Sequence, residues 1–193
     1  MRAIILLGTL KKKEQSNTAI LSEFVATRFA KKKVECEIVK LTDYTILPGT
    51  YSDMGKKDEW PKILKKILAS QLVVFATPVW WGGHASEIQR IIERLDELYD
   101  EILIGKRSRL EGKVGGVIIT GDSDGAQHII GTIANFFNAV GILLPPYASV
   151  SVLSPKLGKG VRTSRAEMIE MFRRDQTTYT DKMIEQMLKH LRR

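Results

Sequence analysis

A single cysteine in 193 residues, Cys36, leaves no partner for an intramolecular disulfide and no thiolate set for a structural zinc or iron–sulfur centre. It suits a reducing compartment. Aromatic residues are scarce, at 7 %, and none is interleaved with the basic runs as a stacking platform for single-stranded nucleic acid requires. Long hydrophobic runs are missing too. The longest apolar segment, Ile129–Leu144, is broken by Gly131, Thr132, Asn135, Asn138 and Gly141 and stops at Pro145-Pro146, which is too short and polar to span a bilayer. Ala3–Leu7 is shorter than a secretory h-region and has neither the charged flank nor the cleavage pattern of one. The expectation is a cytoplasmic chain with no membrane and no nucleic-acid partner. The G-x-G-x-x-G fingerprint and the G-x-x-x-x-G-K-[ST] loop are both absent, which argues against dinucleotide-binding Rossmann and NTPase readings.

What remains is ordinary for one globular domain, with 44 % apolar and 27 % charged residues. The net charge of +8 is uneven. Residues 1–155 carry 20 Lys/Arg against 17 Asp/Glu, and residues 156–193 carry 10 against 5. The basic C-terminal region, 164–193, reads as a solvated helical face.

Short apolar runs alternate with amphipathic stretches. Ala3–Gly8, Leu72–Thr77 and Val114–Thr120 are continuous apolar runs of the kind buried on both faces of a parallel sheet. Val34–Lys40 alternates, with Glu35 and Glu37 opposite Val34, Cys36 and Ile38, and suits a sheet edge. Ala148–Leu153 is a weaker fifth strand. Helical spacing marks Ser16–Lys32, Glu59–Ser70 with Asp58 as N-cap, Ala85–Tyr99, Gly125–Val140 and a C-terminal stripe of Tyr179, Met183, Ile184, Met187, Leu188 and Leu191. Leu41–Asp58 has no period and reads as a loop. The alternation predicts an α/β doubly wound domain over 1–193.

In such a sheet, ligands bind beyond the carboxyl ends of the strands at the switch point. With strand order 2-1-3-4-5, three polar loops converge there: Thr9–Thr18, Thr77–Ser86 and Thr120–His128. The first ends in Ser16-Asn17-Thr18 at a helix start with no capping-box acid, so its N–H groups and hydroxyls can hold a phosphate, or Ser16 is a plain N-cap. The second puts Trp80-Trp81 beside Gly82-Gly83, either as cover for a flat heterocycle or as a packed aromatic pair. The third, with Asp122, Ser123 and Gln127, offers polar groups to a ring edge or is a tight turn into a helix. His84 has no carboxylate at a partner spacing and reads as loop surface. Phosphate donors and aromatic cover, with few acids and bases, suit a cofactor that carries the chemistry itself.

Gly8-Thr9…Ser16-Asn17-Thr18, Thr77-Pro78-Val79-Trp80-Trp81-Gly82 and Thr120-Gly121…Gly125-Ala126-Gln127 together resemble the flavodoxin-like NAD(P)H-dependent FMN reductase family, over roughly residues 1–150. Within it, the chain is similar to the branch related to iron–sulfur flavoproteins. The segment before Asp58, where that branch carries cluster cysteines, has none, which excludes a cluster. The resemblance implies a flavodoxin-like five-stranded parallel sheet, bound FMN, NADH or NADPH as reductant and a small-molecule electron acceptor such as a quinone or flavin. It implies a homo-oligomer as well, and a Trp-rich rim is costly to leave exposed on a monomer. By position, Thr9, Ser16, Asn17 and Thr18 would hold the FMN phosphate. Pro78, Val79, Trp80, Trp81 and Gly82 would line the isoalloxazine ring, and Thr120, Gly121, Asp122 and Gly125 would border its pyrimidine side. No side chain need act as an acid or base, and no metal is required. A non-enzymatic electron carrier of the same fold is the alternative. Lys11–Lys13 make the phosphate loop unusually basic and would serve either FMN or an incoming nicotinamide phosphate; the second is favoured, because the helix N-terminus already supplies donors for the FMN phosphate.

Overall fold

The computed structural model describes residues 1–158 and 160–191, so Lys159, together with Arg192 and Arg193 of the basic C-terminal region, lies outside the described residues. Among the described residues there are five strands, β1 (Arg2–Leu7), β2 (Glu35–Lys40), β3 (Leu72–Pro78), β4 (Val114–Gly121) and β5 (Ser149–Leu153). They pair in parallel in the order β2-β1-β3-β4-β5. The expected flavodoxin-like order is therefore the observed one. It puts β2 at an edge, where its alternating burial shows why Glu35 and Glu37 are tolerated.

Side chains alternate across each strand, so one strand feeds two cores. Ile4, Leu6, Val73, Phe75, Val117 and Ile119 face one layer of helices. In chain order that layer is α2 (Trp60–Ala69), α3 (Ser86–Arg94), α4 (Asp96–Leu103) and α5 (Ala126–Val140). Ile5, Leu7, Val74, Ala76 and Ile118 face the other layer, formed by α1 (Asn17–Lys31) and α6 (Arg165–Leu191). Burial on both faces is why β1, β3 and β4 read as unbroken apolar runs.

Three differences from the sequence reading have physical causes. The helix expected over Ala85–Tyr99 breaks at Leu95, whose N–H is shared among the Glu93, Ile91 and Ile92 carbonyls, and restarts as α4. The break lets Leu95 and Leu98 stay buried while Glu97 turns its carboxylate to the Ser52 N–H. In α6, Met183, Ile184 and Met187 are buried as expected, but Tyr179 stands 64 % exposed. The stripe that replaces it begins earlier, at Met168 and Phe172. Part of the charge in this region is also not free surface. Arg28–Asp181, Lys32–Glu185 and Arg165–Glu23 join α6 to α1.

The third difference concerns Asp58, expected as the N-cap of α2: the N-cap is Glu59, one residue later, and its side chain makes no capping bond. The Asp58 carboxylate does reach the start of α2, accepting from Trp60 N–H at 3.2 Å, but that is one bond of four. Oδ1 also accepts from Leu47 N–H at 3.2 Å, and Oδ2 from Met54 N–H at 3.0 Å and from Arg94 Nη2 at 2.5 Å. Both partners of the Asp58–Arg94 pair are fully buried. Arg94 also donates to Leu47 O at 2.8 Å and lies over the Trp60 ring, 5.8 Å from its centroid. The stretch expected as a loop over Leu41–Asp58 opens with a 3-10 turn at Leu41–Asp43, and its remainder is a loop pinned to α3 through these charges.

Candidate functional site

The loops after β1, β3 and β4 meet at the carboxyl edge of the sheet. Gly8 N–H bonds Ala76 O and Val79 N–H bonds Thr120 O, both at 2.8 Å, so each loop leaves its strand tied to its neighbour. Thr18 Oγ1 and Thr120 Oγ1 lie 2.6 Å apart in the buried floor between the first and third loops. Two hydroxyls in one bond spend one proton between them, which leaves the other for a further acceptor.

At the start of α1, Ser16 is the N-cap, its Oγ accepting from Ala19 N–H at 3.2 Å. The N–H groups of Asn17 and Thr18 have no acceptor among the described residues. With the positive end of the α1 dipole they form an anion-binding start. The plain N-cap and the phosphate site are thus compatible: capping consumes one donor and leaves two. Asn17 directs its side-chain amide to Leu157 O at 3.0 Å, so its backbone rather than its side chain faces an anion. Thr9 is buried and accepts from Lys11 N–H at 3.3 Å. Lys11 Nζ bonds Gln15 O at 2.9 Å, closing the loop on itself, while Lys12 and Lys13 stay exposed.

The second loop is anchored at its base by Thr77 Oγ1, which accepts from Ala85 N–H at 2.9 Å. Pro78 and Val79 are half-buried, Trp80 is 46 % exposed and Trp81 is fully exposed. His84 is half-buried, with Nδ1 3.3 Å from Ala85 O. In the third loop Gly121 packs so closely on Val79 that a Cβ there would come within 2.9 Å of it. Asp122 is exposed. Gly125, at φ +127°, touches Gly82 backbone to backbone. No group of three or more His, Cys, Asp or Glu able to hold a metal occurs among the described residues. Cys36 lies on the distant β2, and burial pushes its thiol up to about 12, so almost no reactive thiolate forms near neutral pH.

The structure adds one element that sequence reasoning missed. The segment after β5 crosses the mouth of the first loop. Its Leu157 carbonyl takes the Asn17 amide and its Thr163 carbonyl takes Gln15 Nε2 at 3.0 Å, while Gly158 abuts Asp122. Both anchors are backbone carbonyls, which no side-chain motif reveals.

A family model described as NADPH-dependent FMN reductase matches residues 1–154. The 8-demethyl-8-aminoriboflavin-5′-phosphate synthase of Streptomyces davaonensis is 29 % identical, over 96 % of this chain and 79 % of its own length. An iron–sulfur flavoprotein of Methanocaldococcus jannaschii is 28 % identical, over 64 % of this chain and 65 % of its own. Among solved structures, RosB with bound 8-demethyl-8-formylriboflavin-5′-phosphate superposes with a TM-score of 0.78 at 26 % identity, covering 100 % of this chain and 79 % of that one.

Proposed function

Because the chain belongs to the NADPH-dependent FMN reductase family, we propose that it is an FMN-dependent oxidoreductase that takes hydride from NADH or NADPH and passes it to a quinone, a flavin or another small acceptor. The observation that carries this reading is the pair of unspent N–H donors at Asn17 and Thr18, set over the buried Thr18–Thr120 hydroxyls where three loops converge. The flavin, when bound, supplies the two-electron chemistry. The chain's own part is to bind and orient. The α1 N-terminus with Thr9, Ser16 and Thr18 takes the phosphate. Pro78, Val79 and Gly82 offer a wall to the ring, and Gly121 and Gly125 bring backbone up to its polar edge, with Thr120 and Asp122 beside them. No side chain of the three loops is placed to move a proton.

FMN is expected to bind at least tenfold more tightly than riboflavin, since charge-assisted bonds to a phosphate contribute roughly 1.5–3 kcal/mol. Equilibrium dialysis with both flavins measures this, and anaerobic addition of NADPH should then bleach the flavin absorbance. Equal affinities would reduce Ser16–Thr18 to a helix cap. A second reading follows from the likeness to the synthase, in which a flavin phosphate is consumed rather than retained; flavin that leaves the protein chemically altered after turnover would decide for it.

The same reading includes a cytoplasmic homo-oligomer. Leu103 and Ile104, adjacent at the end of α4, stand 65 % and 72 % exposed, the kind of apolar surface a second copy covers. Light scattering should give a multiple of 21.8 kDa; a monomer at working concentration would overturn this.

A further inference from the structure

Trp80-Trp81-Gly82-Gly83 is closed by two backbone bonds, Trp80 N–H to Gly83 O and Gly83 N–H to Trp80 O, both 2.8 Å. φ is +50° at Trp81 and +76° at Gly82. Positive φ at both central residues defines a type I′ turn, for which Asn-Gly is the favoured pair. Glycine stands where expected. Tryptophan at the first central position does not fit, because a bulky side chain in the left-handed region is strained. Burial does not offset the strain, since Trp81 is fully exposed. Nor is the turn free to fold inward: a Cβ on Gly125 would come within 2.7 Å of Gly82 Cα, so the turn already rests on the third loop. Neither backbone preference nor burial accounts for this indole, which stands on a braced turn with its ring open to contact with another molecule.

We infer that Trp81 is a stacking platform for the electron acceptor and that this acceptor is a flat molecule of two or more fused rings. The inference rests on the oxidoreductase reading above. Offset stacking gains with overlapped ring area, and a single ring covers only part of an indole face. The turn therefore discriminates by ring size.

The test uses Trp81→Asn, which restores the favoured turn pair, and Trp81→Tyr, which keeps a stacking ring. Acceptor affinity is read by equilibrium dialysis of the FMN-loaded protein with 2-methyl-1,4-naphthoquinone and with 1,4-benzoquinone. Turnover is read with both at saturating NADPH. Trp81→Asn should weaken the naphthoquinone about five- to tenfold and the benzoquinone less than twofold. Trp81→Tyr should recover part of the loss. The melting temperature of Trp81→Asn should rise by about 2–4 °C as strain is relieved. An unchanged naphthoquinone-to-benzoquinone ratio would overturn the inference. So would a penalty confined to the KM for NADPH, or loss of the oligomer in Trp81→Asn, which would assign the indole to the reductant or to a second copy. Wild-type protein that binds the naphthoquinone through Trp81 yet never oxidises NADPH would defeat the oxidoreductase reading and leave the ring-size preference standing.

Discussion

Asp58→Asn is expected to destabilise the fold by about 3–5 kcal/mol, the range seen when one member of a buried ion pair is removed. The substitution keeps shape and removes charge. Arg94, fully buried against Trp60, would then hold an unbalanced guanidinium that water cannot reach. Arg94→Met should cost a similar amount by stranding the carboxylate. The double variant Asp58→Leu/Arg94→Met should recover only part of the loss, because the apolar pair removes the unbalanced charge but leaves the Leu47, Met54 and Trp60 N–H groups without their acceptor. Urea denaturation of the three variants checks this. Near-additive losses would show that the two side chains act separately and that the 44–58 loop is held by its backbone bonds alone.

The same pair sets an acid limit on stability. Burial alone would raise the Asp58 carboxyl, but the hydrogen bonds from Met54 N–H, Arg94, Trp60 N–H and Leu47 N–H outweigh it and hold the group below the usual carboxylate range. A carboxyl depressed in the folded state contributes stability above its unfolded pKa of about 3.9 and loses it as pH falls through the folded value. The wild type should therefore weaken steadily below about pH 5, and Asp58→Asn should show a flatter acid limb.

How much of this was legible in the sequence follows from the range of each interaction. β1, β3 and β4 announce themselves because burial on both faces demands an unbroken apolar run, and β2 because an edge permits Glu35 and Glu37. Their order and the meeting of three loops at one edge follow from the alternation of elements. Asp58 looked like a local N-cap because the bond to Trp60 is local; its partner Arg94 lies 36 residues away, and no spacing rule links them. The turn at Trp80–Gly83 was visible as an aromatic pair beside glycines, but its positive φ at Trp81 was not, since that position favours asparagine or glycine and the residue present argues against the conformation it adopts. The segment after β5 escaped because its anchors are carbonyl oxygens, which every residue carries.

Gly125→Ala should lower FMN affinity more than tenfold, a loss of about 1.4 kcal/mol or more, while costing about 1–3 kcal/mol of stability. Two constraints act on this residue at once. Its φ of +127° lies where a side chain is strained, and an added Cβ would stand 2.7 Å from Gly82 Cα and 2.9 Å from Gly82 O. Those neighbours are backbone, so no rotamer change relieves the clash, and the second and third loops must part. That separation displaces Gly82 and the Trp turn from the end of β4, where Thr120 and Gly121 sit. The phosphate donors of α1 are untouched, so the residual affinity should resemble that of a ligand held by its phosphate alone. Gly131→Ala is the control. It lies in α5, the helix that Gly125 precedes, with nothing within 4 Å of its added Cβ, and replacing an exposed helical glycine by alanine should stabilise by roughly 0.5–1 kcal/mol. Flavin titration and thermal denaturation of both variants separate the cases. Gly125→Ala protein that binds FMN like the wild type would show that the contact between the two loops does not shape the flavin site.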